Sequence, residues 1–145
     1  MDEASREKVK FVLGNAEDLP FDDDSFDRVF STCLLHHVDD VLSVLLEAKR
    51  VAKHNGGEIA FSLPTDPGFL NQMVKKLYSF RRIKKFTSIR PELIYALEHK
   101  NHVMGIMEQI RLVFNEDNLV FHYKPFGILK SWNLNLLVVA KITKK

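Results

Sequence analysis

Three short runs of small and polar residues stand where a ligand could come close to the backbone. They are Gly14-Asn15-Ala16-Glu17, Ser31-Thr32-Cys33 and Pro64-Thr65-Asp66. Each carries a side chain able to give or take a hydrogen bond, and Asn15 offers both, as recognition of a purine edge requires. His36 and His37 are candidates for proton transfer, because imidazole titrates near neutrality. The plainer reading has one of them packed and the other in the loop before a helix. Cys33 is the only cysteine, so it forms no internal disulfide, and it reads as a small buried residue rather than a nucleophile. Asp22, Asp23 and Asp24 lack the glycine and closing glutamate of a calcium loop and read as a solvated turn. Glu98, His99 and His102 share a helical face but lack a third histidine or cysteine, so no metal is expected.

The elements that would position these runs follow from apolar periodicity. Lys8 to Leu13 (KVKFVL) reads as a buried strand ending at Gly14, and Phe26 to Ser31 (FDRVFS) as a second strand after the turn formers Asp22 to Ser25. Asp39 or Asp40 suits the N-cap of a helix from Val41 to about Lys53, with Leu42, Leu45, Leu46 and Lys49 at helical spacing. Asn55-Gly56-Gly57 supplies its stop. Glu58 to Leu63 is a third strand, and this strand–helix–strand order is the crossover of a parallel sheet. An amphipathic helix follows from Phe69 to about Phe86, with Leu70, Met73, Leu77 and Phe80 on one face. Pro91 opens another, running to about Phe114 with bends at Asn101 and Gly105. Leu119 to Tyr123 and Leu134 to Ile142 are strands joined without a crossover helix, hence antiparallel. The class is α/β, with the three polar runs at the carboxyl ends of parallel strands, where open sheets bind ligands.

The bulk numbers frame this reading. At 145 residues with 46% hydrophobic and 28% charged side chains, the chain has the size and composition of one ordinary globular domain, 1–145. It divides into a ligand-site half at 8–68, a helical lid or acceptor region at 69–115 and a terminal strand pair at 116–145. No run reaches the length of a membrane-spanning helix, and a single cysteine fits the cytoplasm. The net charge of +2 hides an asymmetry: residues 1–66 have a balance of −7, and residues 67–145 one of +9. Lys75, Lys76, Arg81, Arg82, Lys84, Lys85 and Arg90 fall between Phe69 and Arg90 with no anion among them. That cationic helix suits an anionic acceptor or shallow contact with an anionic membrane or lipid-linked substrate. No aromatic side chains interleave with the cations as in a base-stacking platform, so nucleic acid is not expected.

The run G-N-A-E-D-L-P-F at 14–21, then S-F-D at 25–27, a hydrophobic strand and L-L-H-H-V at 34–38 resemble class I S-adenosylmethionine-dependent methyltransferases. The nearest group is the methyltransferase type 11 set that includes the ubiquinone and menaquinone C-methyltransferases. The similarity continues through E-A-K-R-V-A-K-H-N-G-G at 47–57, where His54-Asn55 replaces a usual Lys-Pro, and covers residues 8 to 63 closely. The resemblance implies a Rossmann-like fold and S-adenosyl-L-methionine as cofactor. It places adenine against Asn15 and Ala16, with Glu17 beside them. It also places the methionine part of the cofactor at Thr32, next to Cys33.

The family's glycine-rich loop and the acidic residue that holds the ribose have no counterpart here, and no G-x-G occurs in the sequence. The expectation is therefore a partial methyltransferase fold, N-terminally truncated to roughly its last two-thirds. Methyl transfer to a small-molecule or sugar/lipid-precursor acceptor is the implied function. The alternative is a non-catalytic remnant acting by association, forming homo-oligomers through the unpaired edges of the strands at 8–13 and 26–31, unless those two pair directly.

Overall fold

The computed structural model describes residues 9–86 and 88–145. Its sheet is built from β1 (Arg28–Thr32), β2 (Glu58–Pro64), β3 (Asn118–Lys124) and β4 (Leu137–Thr143), in the order β1-β2-β4-β3. β1 and β2 run parallel, in register from Arg28↔Glu58 to Thr32↔Ser62. β4 returns antiparallel between β2 and β3, pairing Phe61 with Ala140 and Phe121 with Ala140 from its two sides. The register is reinforced by charge: Glu58 bonds Arg28 at 3.0 Å on one neighbour and Lys141 at 3.2 Å on the other.

Helix α1 (Val41–Val51) makes the crossover between β1 and β2. Asp40 caps it by accepting from the Ser43 amide at 3.2 Å, which satisfies a free N–H of the first turn. Its other end is closed from outside. Lys144 is buried near the end of the chain and donates to the Lys49 and Ala52 carbonyls at 2.7 and 2.6 Å. A cation at a helix C-terminus answers both the orphan carbonyls and the helix dipole. Helix α2 (Phe69–Val74) passes through a π-helical turn, Lys75–Ser79, into α3 (Phe80–Ile83). Two further helices follow, α4 (Pro91–Glu98) and α5 (Val103–Val113).

The core lies on one face of the sheet. Ile59, Phe61 and Leu63 of β2 and Val138, Ala140 and Ile142 of β4 point into it. They meet Val41, Val44, Leu45 and Ala48 of α1 and Val103, Ile106, Met107 and Ile110 of α5. Each of the larger side chains contributes about 1.5–3 kcal/mol by burial. Lys49 ties the two helices together, reaching the Val113 carbonyl at 2.8 Å and Asp117 at 2.9 Å. The opposite face is open among the described residues: Phe30 is 78% exposed on a row that continues through Ala60 and Lys141 to the exposed Val120.

Two expectations are corrected. The strand expected over 8–13 does not form across Val9–Leu13, where Phe11 and Leu13 are 93% and 100% exposed; Lys8 lies outside the described residues. An apolar run needs a neighbouring ladder to become a strand, and none flanks it, so it does not pair with the strand expected at 26–31 either. The helix expected from Pro91 to about Phe114 is two helices, broken at 99–102. The break is fixed by tertiary bonds, since the His36 carbonyl accepts from the Lys100 and Asn101 amides at 2.9 and 3.2 Å.

Candidate active site

The turn at 14–19 is tight. Asn15 bridges to Asp18, and its Oδ1 accepts from the Glu17 amide at 3.1 Å. A side chain at Gly14 would meet Pro20 at 2.9 Å, so only glycine fits the turn as built. No strand flanks this turn. It is held instead by α1: Glu47 accepts from the Leu19 amide at 2.8 Å, and Arg50 donates to the Leu19 and Phe21 carbonyls at 3.0 and 2.7 Å. Glu47 and Arg50 also pair with each other, at 2.8 Å. The Arg50 hydrogen bonds hold the Glu47 carboxyl down at about 2 and raise the guanidinium in turn. Glu17 completes the attachment by accepting from the Asp40 amide at 3.1 Å, which joins the turn to the loop that follows β1.

That loop begins at Thr32 and Cys33, both exposed. Cys33 adopts a left-handed backbone, with φ of 56°, while its amide bonds the Ser62 carbonyl at 3.0 Å. A non-glycine residue held in this region at the carboxyl end of a strand is a costly conformation of the kind that concentrates at functional sites. Asn15 keeps its amide donors, and the Thr32 hydroxyl has no hydrogen-bond partner among the described residues. His36 is fully buried and neither ring nitrogen has a partner of good geometry; the Pro64 carbonyl is near enough only to favour protonation weakly. Burial first, and His99 second, lower its pKa to about 4. His37 is exposed, its Nδ1 2.8 Å from the Glu98 carbonyl.

A second cluster lies beside this loop, at the carboxyl end of β2. Asp66 is buried. Its Oδ2 accepts from Lys75 at 2.5 Å and from His99 Nδ1 at 2.7 Å, and its Oδ1 from Gln72 at 2.9 Å. Burial alone would raise the Asp66 pKa, but the bonds from Lys75 and His99 prevail and lower it. Lys75 lies 4.1 Å from the Tyr95 ring centroid, a cation–π contact. These residues line a cleft of ≈ 440 Å³ together with Phe80 and His102. Residue patterns alone did not assemble this cluster. Asp66 was visible as the polar end of β2, whereas Lys75 counted among the cations expected to face an anionic acceptor or membrane and is in fact turned inward. His99 reaches Asp66 only because the helix breaks there.

Parallel strands with a crossover helix, and polar loops gathered at their carboxyl ends, define a Rossmann-like α/β architecture. Residues 1–60 match the methyltransferase domain family. The YcgJ methyltransferase of Bacillus subtilis is 39% identical over 77 residues, which are 52% of this chain and 30% of that protein. The demethylmenaquinone methyltransferase of Staphylococcus epidermidis is 44% identical over 78 residues, again 52% of this chain and 30% of the relative. The chain thus matches under a third of the length of these relatives. In fold, a SAM-dependent methyltransferase of Thermotoga maritima superposes with a TM-score of 0.61 at 24% identity, covering 99% of this chain and 68% of the other. The chain is thus similar in sequence to the methyltransferase domain family over its first 60 residues, and in fold to a SAM-dependent methyltransferase over nearly its whole length.

The family's cofactor is S-adenosylmethionine. At these loops the Asn15 side-chain amide and the exposed Thr32 hydroxyl are the groups that would meet such a molecule. The sequence holds no G-x-G cradle for its carboxylate end.

Proposed function

We propose that the chain takes part in S-adenosylmethionine-dependent methyl transfer to a small-molecule or sugar/lipid-precursor acceptor. The observation that carries this reading is the turn Gly14-Asn15-Ala16-Glu17, anchored on α1 and joined through Glu17 to the loop after β1. Asn15 and Ala16 would hold adenine, and Thr32 and Cys33 would flank the methionine part. The cofactor supplies an activated sulfonium methyl. The chain's own residues therefore need only orient the partners and exclude water. The exposed cations Lys76, Arg81, Arg82, Lys84 and Lys85 beside the exposed Leu77, Tyr78 and Phe86 support an acceptor that is anionic or presented at an anionic lipid surface. Calorimetric titration with S-adenosylhomocysteine tests the cofactor half. Binding is expected, weakened about tenfold or more by Asn15→Ala and by Ala16→Pro; affinity indifferent to both changes would remove the assigned adenine site.

A second reading is favoured by one observation, the open β1. Its outer edge carries no strand among the described residues, and its outer face exposes Phe30. Free strand edges recruit other chains. On this reading the chain acts as an association module, and a second copy pairs along β1. Sedimentation decides it: a monomer at all accessible concentrations excludes the association.

A further inference from the structure

The cleft behind the cofactor loops contains a side-chain arrangement that binding of a methyl donor does not require. Asp66, saturated by three donors, fixes the His99 ring through Nδ1. A carboxylate only accepts, so Nδ1 carries a proton, and in the neutral ring the lone pair lies on Nε2. Among the described residues no hydrogen bond engages Nε2, and His99 lines the cleft. The ring is held from two further sides: His37 at 5.0 Å and Tyr95 at 5.2 Å both contact it edge to face. Lys75 supplies a counter-charge to Asp66 from another side. Carboxylate, oriented imidazole and free nitrogen in a cleft together make a general base, positioned by the residue behind it.

We propose that His99, oriented by Asp66, is the proton acceptor for a neutral O–H, N–H or S–H acceptor bound in this cleft. The proposal rests on the methyl-transfer reading above and narrows its substrate class to acceptors that must lose a proton. The acceptor lone pair forms the new bond to the sulfonium methyl carbon. The carbon–sulfur bond breaks with its electron pair staying on sulfur, and the acceptor's proton passes to His99 Nε2. The imidazolium so formed is stabilised by Asp66 and returns its proton to water after product leaves. The neighbouring loop supports the placement: His37 Nδ1 meets the Glu98 carbonyl, and the His36 carbonyl takes the Lys100 and Asn101 amides. The segment after β1 and the segment bearing His99 are thereby packed as one wall.

Three measurements on the full chain test it. Peptide mapping after diethyl pyrocarbonate treatment reports the availability of each imidazole lone pair. His99, with a side chain only 15% exposed, is expected to react at least as fast as His54, which is 70% exposed. Asp66→Asn is expected to slow His99 about tenfold or more while leaving His54 unchanged. A rate for His99 below that of His54, or one indifferent to Asp66→Asn, overturns the proposal. Should Asp66→Asn not fold, nitrogen-resolved spectra of the wild-type imidazoles serve: protonation at Nδ1 is expected, and protonation at Nε2 of the neutral ring overturns it. Calorimetry with S-adenosylhomocysteine separates this idea from the one beneath it. Unchanged affinity in His99→Gln is expected, and a large loss makes His99 a cofactor contact instead. No binding by the wild type removes the methyl-transfer reading itself, and with it the role given to the pair.

Discussion

At the residue scale, the informative side chains are those buried against their chemical preference. His36 is fully buried without a hydrogen-bond partner, so its neutral form is the one the fold accepts. With a folded pKa of about 4 and an unfolded value of 6.5, the unfolded chain binds a proton that the folded chain refuses between those limits. Stability should therefore be complete above about pH 6.5 and fall by about 3 kcal/mol as the pH drops to about 4. Denaturant unfolding across that range checks this, and His36→Leu should flatten the profile. Asp66 acts in a lower window. Its depressed pKa means that its contribution is present above the unfolded carboxylate value and lost on acidification below it. Little of this was legible in the sequence. The pair His36-His37 announced itself, but which ring is buried depends on the break at 99–102 that closes over it. The inward turn of Lys75 is equally a tertiary fact: six other cations surround it in the sequence, and only the carboxylate at the end of β2 selects it.

At the element scale, helix α1 is the part on which the rest depends. Its N-cap and its length to within two residues were readable, because those signals are local. The glycine stop was not, since the helix ends at Ala52 in extended conformation, before Asn55-Gly56-Gly57. Of the expected leucines, Leu42 and Leu46 are exposed. The strand pair at the end of the chain was equally plain, since a short connection leaves no other pairing. What holds the helix in place was not readable. Lys144, 92 residues from Ala52, closes its last turn. Lys144→Met should cost about 2 kcal/mol, measured by thermal or denaturant unfolding, since it leaves two carbonyls of the last turn without their charged donor. Glu47 and Arg50 act in the opposite direction, from the helix onto the turn at 14–19. Glu47→Gln should leave the fold intact but speed hydrogen exchange at the Leu19 amide, whose acceptor it weakens. The strand expected at 8–13 failed for a complementary reason. Its apolar pattern is that of a buried strand, but pattern supplies no ladder, and no strand lies beside it.

At the scale of the whole molecule, a parallel strand pair with helices on one face only is unusual, because such strands are normally covered on both. Phe30 on the open face, with Phe11 and Leu13 beyond it in sequence, leaves more large apolar side chains in water than one domain ordinarily tolerates. Phe30→Glu should lower any concentration-dependent association seen in sedimentation without changing the unfolding midpoint by more than about 0.5 kcal/mol in stability. The central proposal concerns the carboxyl ends of the same strands: that the loops after β1 and β2, with the turn at 14–17, form one wall of a methyl-donor site. Chemical-shift mapping with S-adenosylhomocysteine tests it most directly. The account predicts that amide signals of residues 14–17 and 31–34 move on titration, together with the side-chain amide of Asn15. Saturable shifts confined to other parts of the chain, or none at all, would contradict it.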